Sequence, residues 1–187
     1  MTRELAVFGG SFDPPHVGHV FLALYARSVA QVERVIVAPT FQHAFGKTLG
    51  PFDDRLAMCE RAFAPIDGVE VSPVERELGG VSRTLRLITE LADRYPDHRL
   101  RLLIGADILQ EAPRWQQFDE ICARAPLLVA GRGGYASQPD QPTLKLPEIS
   151  SSTIRSALAQ GGDVRHLVPG AVHEFIVVHG LYRDPPA

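Results

Sequence analysis

One stretch constrains this chain more than any other: Gly9-Gly10-Ser11-Phe12-Asp13-Pro14-Pro15-His16-Val17-Gly18-His19. It follows a short apolar run of β character, Leu5–Phe8. Beyond it, apolar residues resume at Val17, Val20, Phe21, Leu24 and Tyr25 with helical spacing. The block is therefore a strand-to-helix turn. Such turns in α/β proteins bind phosphate, because the first N–H groups of a helix lack intrahelical partners and the helix dipole favours an anion there.

The rest of the chain repeats that rhythm. Candidate strands lie at Leu5–Phe8, Arg34–Ala38, Val69–Ser72, Leu100–Ile104 and Leu127–Ala130, and helical patterns at Val17–Val29, Asp53–Phe63 and Thr84–Arg94. Alternation of this kind predicts an α/β fold, a Rossmann-like doubly wound parallel sheet with helices on both faces. The first and fourth strands are expected to be neighbours, so that the turn after each faces one crevice at the carboxyl edge. The turn after the fourth strand is Gly105-Ala106-Asp107. A connection rich in Gly, Pro and Gln follows the fifth strand, with a weak strand at Thr143–Leu146. A small helical part, about 150–183, closes what reads as a single domain over 1–187. Serines precede its first helix, where Ser151 or Ser152 would be the N-cap, and Pro169 and Gly180 bracket its second.

Residue types in the turn suit a phosphate cradle. Gly9 and Gly10 let backbone approach a ligand, and Gly18 leaves room for a bulky anion. His16 and His19 stand three apart at the helix start and offer donors to charge developing on phosphate oxygens. Both are expected in an exposed polar turn. Zinc is a rival for that pair, but no glutamate lies between them and no third ligand stands out. Gly46-Lys47-Thr48 is not a P-loop, because Phe41 occupies the position that would need glycine. Lys47 and His43 remain candidate phosphate contacts from a loop, and Arg155, one turn into the helix after the serines, is suited to a phosphate tail.

Composition narrows the class. The chain of 187 residues carries a net charge of −3, which supplies no global field for nucleic acid or an anionic membrane. Its longest apolar run is too short to cross a bilayer. Cys59 and Cys122 form no ligand-like pattern, which fits two reduced thiols and a cytoplasmic setting.

The turn and "ISSSTIR", residues 149–155, together resemble the motif pair of the nicotinate mononucleotide adenylyltransferases, within the HxGH nucleotidyltransferase superfamily. "GADILQEAPRW" resembles that family's GADxL…W segment, "VAGRGGY" its later V…R-x-G-Y segment with Gly133 where Pro is usual, and "RHLVPGAVHEFIVVHGLY" its closing helix and Leu-Tyr ending. The resemblance covers most of the chain. It implies transfer of AMP from ATP to nicotinate mononucleotide, with His16, His19 and Arg155 in catalysis. Gly9, Gly10, Ser11, Phe12, Gly18, Gly105, Asp107, Ser151 and Ser152 would join them around ATP. Thr84, Asp107, Trp115, Arg83 and Lys47 would serve the acceptor, and magnesium would arrive with ATP, held by phosphate oxygens and water rather than by a protein metal site. Small molecules are the implied partners, with self-association left open.

Two segments depart from the family pattern. The loop after the second strand reads "PTFQHAFGK" where P-x-x-x-P-P-H-K is usual, and "SRTLRL" stands for S-Y-T-x-D-T, placing Arg83 and Arg86 at the Tyr and Asp positions. Both belong to the acceptor side. Nicotinamide mononucleotide, another phosphate ester, or a nucleotide-binding regulatory role without turnover are the alternatives at this stage.

Overall fold

The computed structural model describes residues 3–106, 115–130 and 149–183. Five strands form one parallel sheet in the order β3-β2-β1-β4-β5: β1 Arg3–Gly10, β2 Arg34–Pro39, β3 Val69–Val71, β4 His98–Gly105 and β5 Leu127–Ala130. The expected adjacency of first and fourth strands is present, with Leu5 opposite Leu100 and Val7 opposite Leu102. Doubly wound topology follows from this order: the chain winds outward through β2 and β3, then returns across β1 to β4 and β5.

Helices cover both faces, which is why the strands read as continuous apolar runs. On one face lie α1 Val17–Ser28, α2 Phe52–Phe63, α6 Ser151–Ala159 and α7 Gly170–Val178. Ala6, Phe8, Val35, Val37 and Leu103 meet them through Leu22, Met58, Phe63, Ile154 and Phe175. The other face carries α3 Val74–Leu78, α4 Thr84–Arg94 and α5 Phe118–Arg124. There Leu5, Val7, Ile36 and Leu102 pack on Val74, Leu87, Leu91 and Ile121. Leu5 and Val7 point one way and Ala6 and Phe8 the other, the period of two that a strand imposes.

Local signals explain most boundaries. Asp53 and Asp54 sit in the first turn of α2, where the helix dipole favours them. The α6 N-cap is Ser150, one residue before the expected pair, and its Oγ accepts the Thr153 N–H at 3.1 Å. Pro169 precedes α7 and Gly180 follows it with φ +63°, as anticipated. The short helices α3 and α5 were not anticipated; five and seven residues give too little periodicity to register. The weak strand at 143–146 lies outside the described residues.

Candidate active site

A cavity of about 770 Å³ opens at the carboxyl edge, where β1 and β4 end side by side. Its walls include Gly9, Gly10, Ser11, Gly18 and His19 from the turn, Gly105 at the end of β4, and Arg83, Thr84 and Trp115 farther out. The turn after β1 and Gly105, the first residue of the turn after β4, line one crevice.

Packing shapes the turn from below. Phe12 has φ +46°, a backbone region that non-glycine residues seldom adopt. This geometry drives its ring into the core, 5.2 Å from Phe8 and 6.1 Å from Phe63 between centroids. Gly10 makes that possible, since a Cβ there would stand 3.1 Å from the Phe12 ring. Any side chain at Gly10 would press on the buried phenyl ring, which would have to shift by a few tenths of an ångström. Phe12 supports the cavity floor and is not among the residues lining it.

The two histidines have different environments. His19 lines the cavity, and its Nδ1 accepts the His16 N–H at 3.1 Å. An accepting Nδ1 leaves the proton on Nε2, so His19 presents a donor to an incoming oxygen. His16, by contrast, is only 2% exposed and stacks on His19 with 3.7 Å between ring centroids. The expectation of two exposed histidines is corrected: His16 occupies the N-cap of α1 and backs His19 from beneath.

Behind the turn lies a network of buried polar groups. Arg55, on α2 and 1% exposed, donates from Nε to the Gly50 carbonyl and from Nη1 to the Ser11 carbonyl, each at 2.9 Å. Burial lowers its pKa, and the neighbouring Asp13 carboxylate opposes that effect. Asp13 accepts the Tyr182 hydroxyl and the Gly50 N–H, at 2.7 and 3.1 Å. From α6, Arg155 donates to the Asp13 carbonyl at 2.6 Å and Ser151 Oγ to the Pro14 carbonyl at 2.9 Å. Arg155 and Ser151 thus reach the turn from its outer side, and neither lines the cavity. Ser152 bonds with Ser150 on the exposed helix start, Lys47 is exposed on its loop, and Asp107 lies outside the described residues.

The outer end of the cavity is stitched differently. Ser82 Oγ accepts the Phe41 N–H at 3.0 Å, and the Ser82 N–H donates to the Gln42 carbonyl at 2.9 Å. These bonds tie the loop after β2 to the residues before α4. Glu75 on α3, 7% exposed, lines the cavity beside Ser82. Burial pushes its carboxyl pKa up, while the Ser82 hydrogen bond and the Arg86 charge pull it down less strongly. Arg86 donates to the Leu78 and Gly79 carbonyls at 2.5 and 2.7 Å. The Arg83 carbonyl accepts the Leu87 N–H at 3.0 Å, while its guanidinium makes no hydrogen bond or ion pair to another described residue.

Asp13, Arg55, Glu75 and Ser82 carry this architecture with no role assigned to them from sequence, and Tyr182 stands there only as part of the Leu-Tyr ending. Arg55 left a signal: it lies three and four residues before Met58 and Cys59, on the apolar face of α2. An arginine there must be buried with partners. Among the described residues no group of three or more His, Cys, Asp or Glu could hold a metal ion, and no helix is long and apolar enough to cross a membrane.

Residues 7–157 match the cytidylyltransferase-like family. Over 184 residues, 97% of each chain, the sequence is 46% identical to a protein of Anaeromyxobacter sp. (strain K) named "Probable nicotinate-nucleotide adenylyltransferase". A Myxococcus xanthus protein of the same name is 39% identical over 180 residues, 96% of this chain and 94% of that one. Among solved structures, the Plasmodium falciparum nicotinic acid mononucleotide adenylyltransferase complexed with NaAD has a TM-score of 0.80 at 16% identity, covering 96% of this chain and 97% of that one. At that identity the structural likeness speaks for the fold.

Proposed function

The chain belongs to the nicotinate-nucleotide adenylyltransferase family, and we propose that it transfers AMP from ATP to nicotinate mononucleotide, giving nicotinate adenine dinucleotide and pyrophosphate for NAD biosynthesis. Residues 1–187 act as one catalytic unit in this reading, and two free thiols accord with a cytoplasmic setting.

The acceptor phosphate oxygen attacks the α-phosphorus of ATP while the bond to the β-phosphate oxygen breaks, and the electron pair leaves with pyrophosphate. No protein nucleophile is needed. Catalysis is positioning plus stabilisation of charge on the phosphoryl oxygens. The observation that carries the reading is the His16–His19 arrangement at the start of α1. The backbone N–H of buried His16 fixes the tautomer of the half-buried His19 ring, so a preorganised donor belongs to the cavity wall. The positive end of the α1 dipole, directed at the same place, adds to it. Gly9, Gly10, Ser11 and Gly18 shape the phosphate end, and Arg155, on the outer side of the turn rather than in the cavity wall, would supply donors to a pyrophosphate tail that extends past the turn. ATP enters as its magnesium complex, the ion neutralising phosphate charge and keeping phosphate and water oxygens as its ligands.

At the acceptor end, Trp115 packs edge-on to Phe118, ring centroids 6.0 Å apart, and offers its indole to a pyridine ring. Arg83, whose side chain has no partner among the described residues, offers a guanidinium to the pyridine carboxylate. Such a contact favours nicotinate over nicotinamide mononucleotide, since an amide cannot form a charge-assisted pair. The test is a steady-state assay with ATP, magnesium and each mononucleotide. Expected is dinucleotide formation with a higher kcat/KM for the nicotinate compound, and a ratio that drops about tenfold in Arg83→Ala. Turnover of neither compound overturns the reaction, and equal use of both overturns the acceptor preference.

A further inference from the structure

The far end of the chain clasps the phosphate turn from behind. Tyr182 has φ +60°, a conformation that costs a side-chain-bearing residue energy and persists only where surroundings enforce it. What it achieves here is delivery of the Tyr182 hydroxyl to Asp13 Oδ1 at 2.7 Å. The Gly50 N–H takes Oδ2 at 3.1 Å, and the carboxylate is almost wholly shielded, 2% exposed. Two cations flank that buried charge. Arg55 is committed to the Gly50 and Ser11 carbonyls. Arg155 is not so committed: one nitrogen donates to the Asp13 carbonyl at 2.6 Å and stands 3.9 Å from Oδ2, outside hydrogen-bond reach of the carboxylate.

A buried carboxylate deprived of a donor recruits the nearest one available. Without the Tyr182 bond Oδ1 is bare and the carboxylate charge is less compensated. The uncommitted cation nearest that carboxylate is Arg155, about 1 Å beyond hydrogen-bond reach of Oδ2. We infer that Tyr182 is a positioning residue that satisfies Asp13 so that the carboxylate does not capture Arg155, leaving the guanidinium's remaining donors to the phosphate tail of the nucleotide. Burial and the Asp13 charge both raise the hydroxyl's pKa, so it remains a proton donor at any ordinary pH. The inference rests on the reading of Arg155 as a ligand of the leaving pyrophosphate.

Tyr182→Phe keeps the ring and removes the bond. Expected is a rise of about tenfold in KM for ATP, and for pyrophosphate in the reverse reaction, the size of one lost charge-assisted hydrogen bond. The acceptor KM stays unchanged. Adding Asp13→Asn to that variant removes the charge that captures Arg155 and returns the ATP KM toward the wild-type value. A merely structural Tyr182 would lower thermal stability without this split, and the asparagine would not rescue it; either result overturns the inference. Should the single variant not fold, the double variant decides alone: an ATP KM near wild type supports the inference, and one raised tenfold overturns it. Arg155→Ala separates the two layers. If it leaves both phosphate-substrate KM values unchanged, the reading of Arg155 fails. If it raises them while Tyr182→Phe does not, only the positioning role fails.

Discussion

Where β1 runs into α1, the cavity wall is held by side chains that solvent hardly reaches: Phe12, Asp13, His16 and Arg55 are all at most 2% exposed. Across the same cavity the rim is formed by Arg83 and Arg86 at the start of α4 and by Phe45 on the loop after β2, all exposed, with Glu75 on α3 the buried group among them. The first end is a backbone trap. Its donors and acceptors come from Gly50, Ser11, Asp13 and Pro14 main chain, so no single side chain can move without disturbing the turn. The second end is a set of side chains on short connections, where one replacement changes chemistry and leaves the scaffold intact. Charge stabilisation demands fixed donors, whereas choosing an acceptor demands only a suitable group at the rim. The two departures from the family pattern, "PTFQHAFGK" and "SRTLRL", both fall at this second end.

The sharpest way to break that contrast is to remove the main brace of the first end. Arg55→Met keeps volume but leaves two carbonyls without donors and Asp13 without its neighbouring cation. Each buried carbonyl left without its donor costs about 1–3 kcal/mol. Chemical denaturation should show a fall of that order with activity lost in parallel. A loss below about 1 kcal/mol, the range of an exposed ion pair, would mean that the turn is held by something else.

The histidines divide the first end more finely. His19→Ala removes the donor facing the cavity, and kcat should fall on the order of 10² to 10³, with little change in melting temperature. His16→Ala removes a buried ring that stacks on His19 and caps α1. It should cost activity and about 1–2 kcal/mol of stability together. If both variants keep wild-type melting temperatures, the buried support is unnecessary and the contrast between the two rings disappears.

How much of this was visible in the chain before folding depends on the range of the forces involved. The five strands, the longer helices and the β1–β4 adjacency follow from periodicity and handed crossovers, and the phosphate turn from one contiguous block of residues. Asp13 stood in that block, yet its partner Tyr182 is 169 residues away and its bond depends on how α7 docks. Arg155 was legible as a cation at a helix start; that it grips the outer side of the turn was not, because helix placement decides the direction of approach. An exposed His16 is the expectation because a turn next to a helix start is usually wet, but here its ring stacks on His19 and the segment before α7 docks beside it, the Leu167 carbonyl accepting the Val17 N–H at 3.0 Å. Glu75 went unnoticed for a different reason. A five-residue helix gives no face, so nothing in the local pattern says that one of its two acidic residues is buried.

That glutamate supplies the mildest test, directed at the second end. Burial raises the Glu75 carboxyl pKa in the folded chain above its unfolded value, so folding binds a proton more tightly there. The sign follows from linkage. Stability from this group is fully present below the unfolded glutamate pKa of about 4.3 and is lost as pH rises through the higher folded value. Wild type should therefore lose stability relative to Glu75→Gln as pH climbs from about 4 toward neutrality, the glutamine being indifferent to pH while keeping a comparable shape and a partner for Ser82. Denaturant midpoints measured at several pH values for both chains give the difference directly. At neutral pH the glutamine variant should be the more stable of the two, and its nicotinate preference should hold if Arg83 alone reads the carboxylate. A stability difference independent of pH would show that Ser82 and Arg86 fully offset the burial of Glu75. The second end would then be built like the first, on a satisfied buried charge.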